Sequence, residues 1–191
     1  FSHWVGGMGV LVFMLALLPM GGASSMHLMR AESPGPSVGK LVPKVRSTAK
    51  ILYEIYSFLT IVLMILLVIS GCPVFDSINL AFATAGTGGF AVLNSSAADY
   101  NAATQWILTI FMILFGVNFN VYFLFYVKKW KDGLRCEEAR AYLGIILGSV
   151  ALISFNIYHL VRNVELTVRQ AAFQVASIIT TTGFGSADFD Q

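Results

Sequence analysis

Two short stretches, Ala85-Gly86-Thr87-Gly88-Gly89-Phe90 and Thr180-Thr181-Thr182-Gly183-Phe184-Gly185, decide how this sequence is read. With Gly89 set over Gly183, an offset of 94 residues, both read Thr-x-Gly-Phe: Thr87, Gly88, Gly89, Phe90 and Thr181, Thr182, Gly183, Phe184. Each follows a short helical segment, residues 75–85 and 167–179, well below the roughly 20 residues a membrane-crossing helix needs. Glycines ending an apolar segment break the helix and admit positive φ. The short segments therefore read as re-entrant or interfacial helices. The first is expected to start at Asp76 or Ser77 as N-cap, with Asp76 at the positive end of the helix dipole.

Around these stretches the sequence is built for lipid. Hydrophobic residues make up 57% of the 191 and charged residues 12%, with a mean hydropathy of +0.74, which excludes an ordinary water-soluble domain. Four apolar blocks of near-spanning length stand out, at residues 4–20, 51–71, 106–127 and 142–161, and Glu54 is the one formal charge of the second. The loop 21–50 holds Arg30, Lys40, Lys44, Arg46 and Lys50 against Glu32, and 128–141 holds Lys128, Lys129, Lys131, Arg135 and Arg140, whereas 72–105 has no cation. The positive-inside rule puts both basic loops in the cytoplasm. Cys72 and Cys136 then fall at opposite ends of the third block, too far apart to pair. A start at Phe1, without a charged n-region, is not that of a signal peptide, and the chain reads as beginning mid-protein.

The order helix, short helix, glycine loop recurs after the fourth block, which implies repeated units. A looser match sets Trp4 to Phe13 over Leu114 to Phe123, pairing Gly6 with Gly116. The expected division is as follows. Residues 1–20 are the closing helix of a first unit and 21–50 a cytoplasmic basic loop. Residues 51–127 are a complete second unit with helix 51–71, pore helix 75–85, filter 86–91 and helix 106–127. A cytoplasmic loop, 128–141, leads into the third unit, 142–191, with helix 142–161, pore helix 167–179 and filter 180–185. The fold class is an all-α polytopic membrane protein made of repeated helix, pore helix, filter loop and helix units.

The chemistry follows from the solvent. Extended backbone cannot face hydrocarbon, where each unsatisfied polar group costs several kcal/mol, so such loops must lie in protein or beside a water-filled cavity. Copies converging on one axis aim carbonyl oxygens inward and replace the hydration shell of a potassium ion. Threonine hydroxyls add oxygens at the inner end, and the negative C-terminal ends of the short helices favour a cation. The expected potassium contacts are Thr87, Gly88, Gly89, Thr181, Thr182 and Gly183, with Phe90 and Phe184 completing the filters.

The run Trp4-Val5-Gly6-Gly7-Met8-Gly9-Val10, the segment Arg30-Ala31-Glu32-Ser33-Pro34-Gly35-Pro36 and the two loops resemble the TrkH-type subunit of the Trk/Ktr/HKT superfamily. The resemblance covers nearly all of the chain. It implies that the repeated units surround a pseudo-four-fold ion pore, with four pseudo-equivalent quarters in one polypeptide of the bacterial inner membrane, carrying potassium and in some members sodium. It also implies a cytoplasmic nucleotide-binding regulatory subunit and a homodimer of the full-length protein, alongside contact with membrane lipid. Two filters do not close a four-membered ring, so the chain is expected to be an incomplete copy, inactive alone.

Other residues have plainer roles. Gly6, Gly7 and Gly9 suit close helix packing, and Asn118 and Asn120 suit hydrogen bonds between helices in preference to the alternative, lining the pore. His3, His27 and His159 read as interfacial residues without metal-ligand spacing, and Glu54 as close enough to the cytoplasmic end to reach water. The rival readings are a sodium-selective or sodium-coupled member and a secondary transporter with re-entrant loops, but here the repeat is parallel in topology rather than inverted. No Ser-His or paired-carboxylate arrangement marks an enzyme at membrane depth, and no nucleic-acid partner is expected.

Overall fold

The computed structural model describes residues 1–9, 45–128, 133 and 136–186. Among them the helices are α1 (Ser2–Gly7), α2 (Val45–Ile69), α3 (Val74–Ala85), α4 (Ala102–Gly116), α5 (Phe119–Tyr126), α6 (Glu137–Val161) and α7 (Val164–Ile179). The expected first span beyond Gly9, His27 and most of both basic loops lie outside the described residues. Helices α2 and α6 contain apolar stretches of membrane-crossing length, Ala49–Ile69 and Glu137–His159. At about 1.5 Å per residue, each is long enough to cross a hydrocarbon core of about 30 Å.

Helix α3 packs on α1, α2 and α4, while α7 packs on α4 and α6. One apolar core joins them: Tyr56, Leu63 and Leu67 of α2, Leu80 of α3, Leu108, Met112 and Phe115 of α4, and Phe173 of α7. Phe184, from the loop after α7, is buried in the same core.

Every helix that matches an expected span starts earlier than hydropathy placed it. Helix α4 begins at Ala102 because the Asn101 side chain accepts from the Thr104 N–H at 2.8 Å, a polar cap that an apolar window passes over. Its Nδ2 also donates to the Ser70 carbonyl at 2.7 Å, which ties the start of α4 to the end of α2. Helix α7 is capped in the same way by Asn163, which accepts from Leu166 N–H at 3.3 Å.

For α3 the expected N-cap at Asp76 or Ser77 is corrected. Pro73 is the N-cap, and its carbonyl accepts from the Ser77 N–H at 2.8 Å. Ser77 turns its hydroxyl to the Cys72 carbonyl instead. Asp76 does stand in the first turn, at the positive end of the dipole. Its carboxylate accepts from the Tyr100 hydroxyl at 2.9 Å. Burial first, and Asp76 beside it, push the Tyr100 hydroxyl well above its usual range, so it stays a donor at ordinary pH.

The expected continuous helix 106–127 is two helices. Val117 is extended (ψ 140), and α4 ends at Gly116 before α5 starts at Phe119. A break inside so apolar a segment is tolerated only where the freed carbonyls find partners. Tyr142 of α6 donates to the Ile113 carbonyl at 3.1 Å and Tyr122 of α5 to the Leu114 carbonyl at 2.8 Å. Asn118, expected to bond between helices, instead lies in the break itself and donates to Glu138 of α6 at 2.9 Å, whereas the side chain of Asn120 lies outside the described residues. Glu54 pairs with Lys50 one turn away on the exposed face of α2.

The glycines near the N-terminus divide sharply. A Cβ on Gly7 would stand 2.6 Å from Tyr56 Oη and 2.7 Å from Gly86 Cα, while one on Gly6 meets nothing within 4 Å. Gly116 behaves like Gly7: a Cβ there would overlap Tyr142 Oη and stand 2.6 Å from Thr180 Cγ2. Tyr56 donates to the Trp4 carbonyl as Tyr142 does to that of Ile113, three residues before Gly7 and Gly116 respectively. Gly7, rather than the Gly6 expected to pair with it, thus makes contacts like those of Gly116.

In the complete protein, Gly7→Ala is expected to cost about 1–3 kcal/mol by overpacking against backbone, read as a lower melting temperature in detergent. Gly6→Ala should stay within about 0.5 kcal/mol of the parent. Equal melting of the two variants contradicts this packing.

Candidate functional site

Helices α3 and α7 end alike. In α3 the N–H groups of Gly86 and Thr87 donate to the carbonyls of Phe82 and Thr84, and Gly88 N–H reaches back to that of Ala83 at 2.7 Å. In α7 Thr180 and Thr181 donate to Ala176 and Ile178, and Thr182 N–H reaches back to Ser177 at 2.9 Å. This closure needs a left-handed residue at the turn. Thr87 (φ 53) and Thr181 (φ 56) supply it, although β-branched side chains seldom adopt that conformation. Two residues further on, Gly89 (φ 64) and Gly183 (φ 89) are again positive.

The two loops touch. A Cβ on Gly89 would overlap the Thr182 carbonyl oxygen and stand 2.9 Å from the carbonyl carbon of Gly183 and 3.1 Å from its Cα. The contact is backbone against backbone, so no side-chain rotation relieves it. Gly183 has φ 89 but open space where its Cβ would go. Residue 89 therefore needs glycine for space and conformation together, and residue 183 for conformation only.

The remaining expected residues are placed unequally. Thr87 is half-buried and Thr181 exposed, whereas Thr182 is buried. Thr180 donates to the Ala176 carbonyl at 2.7 Å, so across the 2.7 Å contact between the two hydroxyls Thr182 is the donor. Phe184 has its ring in the core and its carbonyl on Ser177 Oγ at 2.8 Å, which anchors the end of the loop. Phe90 is exposed and meets the edge of the His3 ring at 5.7 Å. His3, expected at the interface, instead packs on the first loop, and a Cβ on Gly86 would stand 2.8 Å from its Nδ1.

Charge is arranged away from the loops. The first-turn acids are Asp76 in α3 and Glu165 in α7. Glu165 pairs with Arg169 at 3.2 Å and accepts from Trp106 Nε1 at 3.3 Å. Both helices turn their negative C-terminal ends toward the loops, which favours a cation there. Among the described residues no cluster of His, Cys, Asp and Glu could hold a metal ion, so the oxygens on offer at the loops are carbonyls and hydroxyls.

The sequence matches the family model described as TrkH, cation transport protein, over residues 1–191. The chain belongs to this family. It is 37% identical over 187 residues to the Trk system potassium uptake protein TrkH of Salmonella typhimurium, covering 95% of this chain and 39% of that protein. It is 35% identical over 190 residues to TrkH of Escherichia coli K12, with the same coverage. The crystal structure of the potassium transporter TrkH from Vibrio parahaemolyticus superposes with a TM-score of 0.78 at 28% identity, over 98% of this chain and 38% of that one. The chain thus spans about two fifths of the length of the relatives it matches.

The loop motif was legible in sequence, but the residues that hold the loops were not. Ser177 and Ser96, whose Oγ accepts from the Gly185 N–H at 3.1 Å, are single small polar residues with no periodicity, and only the turn composition of Asn94-Ser95-Ser96 could have signalled the second.

Thr181→Gly is expected to melt no lower than the parent, because glycine accepts the left-handed conformation freely, at up to about 1 kcal/mol advantage. Thr182→Val, which keeps the shape and loses the hydroxyl paired with Thr180, should cost about 1 kcal/mol. Thermal unfolding of the complete protein carrying each change checks both, and a destabilised Thr181→Gly counts against the turn described here.

Proposed function

We propose that the chain contributes two of the filter strands of a potassium-uptake protein of the bacterial inner membrane. Potassium passes the loops at Thr87 to Phe90 and Thr181 to Phe184, coordinated by backbone carbonyls. The observation that carries this reading is the direct meeting of Gly89 with Thr182 and Gly183. Two loops on unrelated surfaces could not share an axis, and these two share a backbone contact with matching left-handed residues at matching positions. The names of the relatives, potassium uptake proteins of the Trk system, give the ion.

In this reading the described helices divide into units. Helix α1 belongs to the closing helix of one unit, and α2, α3, the first loop, α4 and α5 form the next. Helices α6 and α7 with the second loop open a third. The matching contacts of Gly7 and Gly116, each against a tyrosine hydroxyl and the start of a loop, support that division. The basic loops face the cytoplasm, where the resemblance expects a nucleotide-binding regulatory subunit, and the complete protein forms a homodimer. Both partners rest on the resemblance.

Replacing Gly89 or Gly183 by Ser in the complete protein is expected to lower the preference for potassium over sodium about tenfold or abolish transport, because the carbonyls move off the ion. Potassium and sodium uptake in cells that lack other potassium-uptake systems measures this. Unchanged rate and preference in both variants, at normal protein levels, overturns the filter assignment.

A further inference from the structure

The second loop is held from two sides, and one of them belongs to the segment that follows the first loop. Gly185 lies two residues beyond Gly183, and both of its backbone polar groups are taken. Its N–H donates to Ser96 Oγ at 3.1 Å, and its carbonyl accepts from the Ala97 N–H at 2.8 Å. Ser96 is left-handed (φ 58) without being glycine, a conformation that persists where surrounding contacts hold it. Behind it, Ala97 is fully buried. Gln105 of α4 is 5% exposed, and its Nε2 lies 3.0 Å from the Ala97 carbonyl, 3.3 Å from that of Ala98 and 3.2 Å from that of Tyr100. A chain of hydrogen bonds therefore runs from α4 through the turn at Ser96 and Ala97 to Gly185. From the other side Ser177 of α7 holds the Phe184 carbonyl.

We propose that Ser96, backed by Gln105, is a positioning residue that sets the second loop from the segment after the first and thereby fixes ion discrimination there. The proposal rests on the filter reading above. Selection between potassium and sodium depends on the number, distance and stiffness of the carbonyl dipoles around the ion. Ser177 alone fixes the loop to its own helix. The Gly185 bonds fix it to the neighbouring loop, and the spacing between the two strands is what an ion on a shared axis senses. Serine suits the task because its hydroxyl accepts an N–H close to the backbone without filling the space beside Gly185, where a Cβ would already stand 3.9 Å from Ser96 Cβ.

The test uses Ser96→Gly in the complete protein. Glycine adopts φ 58 more readily than serine, so the variant keeps the turn and loses only the acceptor. Melting temperature and protein level should match the parent. The half-saturating potassium concentration should rise about fivefold with the maximal rate within about twofold, and the preference for potassium over sodium should fall about fivefold. Ser95→Ala, which removes a hydroxyl bonded to Asp99 in the same turn, should leave both unchanged. Gly183→Ser is measured alongside. If Gly183→Ser alters discrimination and Ser96→Gly does not, the positioning role is overturned and the filter reading stands. If neither alters it, the filter reading fails and the positioning role fails with it.

Discussion

The carbonyl of Thr182 occupies the place where a side chain on residue 89 would have to be. Both loops leave their helices through a left-handed threonine and then a positive-φ glycine, which bends the backbone off the helix axis. The short helices α3 and α7 are needed to bring those bends to one level. The longer α2 and α6 pack against them and hold them there. Polar backbone packed this closely must find partners within the protein, because water cannot reach between the two strands to correct a misplaced carbonyl.

That requirement explains the small polar side chains around the loops. Thr180 and Thr84 return their hydroxyls to carbonyls one turn back, those of Ala176 and Leu80, at 2.7 Å each. Ser70 and Thr104 share a bond where α2 meets α4. The broken span between α4 and α5 follows the same logic with larger residues, since Tyr122 and Tyr142 take the carbonyls that the break releases. Because Gly116 lies against both Tyr142 and Thr180, the break and the root of the second loop are one packed assembly.

Sequence carried the parts of this that depend on local composition. The glycine loops, the short helices before them, the long apolar helices α2 and α6 and the offset between Thr87 and Thr181 were all legible. Helix starts were not, because Asn101 and Asn163 cap their helices with side-chain oxygens that hydropathy scores as loop. The break after Gly116 was hidden for a related reason: Val117 is as apolar as the helices on either side, Asn118 beside it reads equally well as an amide within a continuous helix, and the partners that permit the break come from elsewhere in the chain. The likeness of Gly7 to Gly116 depended on Tyr56 and Tyr142, whose hydroxyls no pairwise reading of the two glycine runs includes. His3 was likewise read by its distance from a span end, while its position is set by Gly86 and Gly88, more than eighty residues along the sequence.

The two loops are alike in backbone and unlike in anchorage, and one part of the difference can be traced to a single position. At the offset of 94 residues Ser177 corresponds to Ala83. Both accept the returning N–H of their loop, from Thr182 and from Gly88. Only serine has a hydroxyl to hold the following phenylalanine carbonyl, and with it Phe184 turns inward to 2% exposure, while Phe90 stands at 67%. The first loop is steadied differently, by His3 of α1 packed on Gly86 and Gly88 and by the second loop itself at Gly89. A loop fastened to its own helix thus serves as the fixed wall against which its neighbour is set. The absence of any side chain at residue 89 lets that neighbour come close enough to use it.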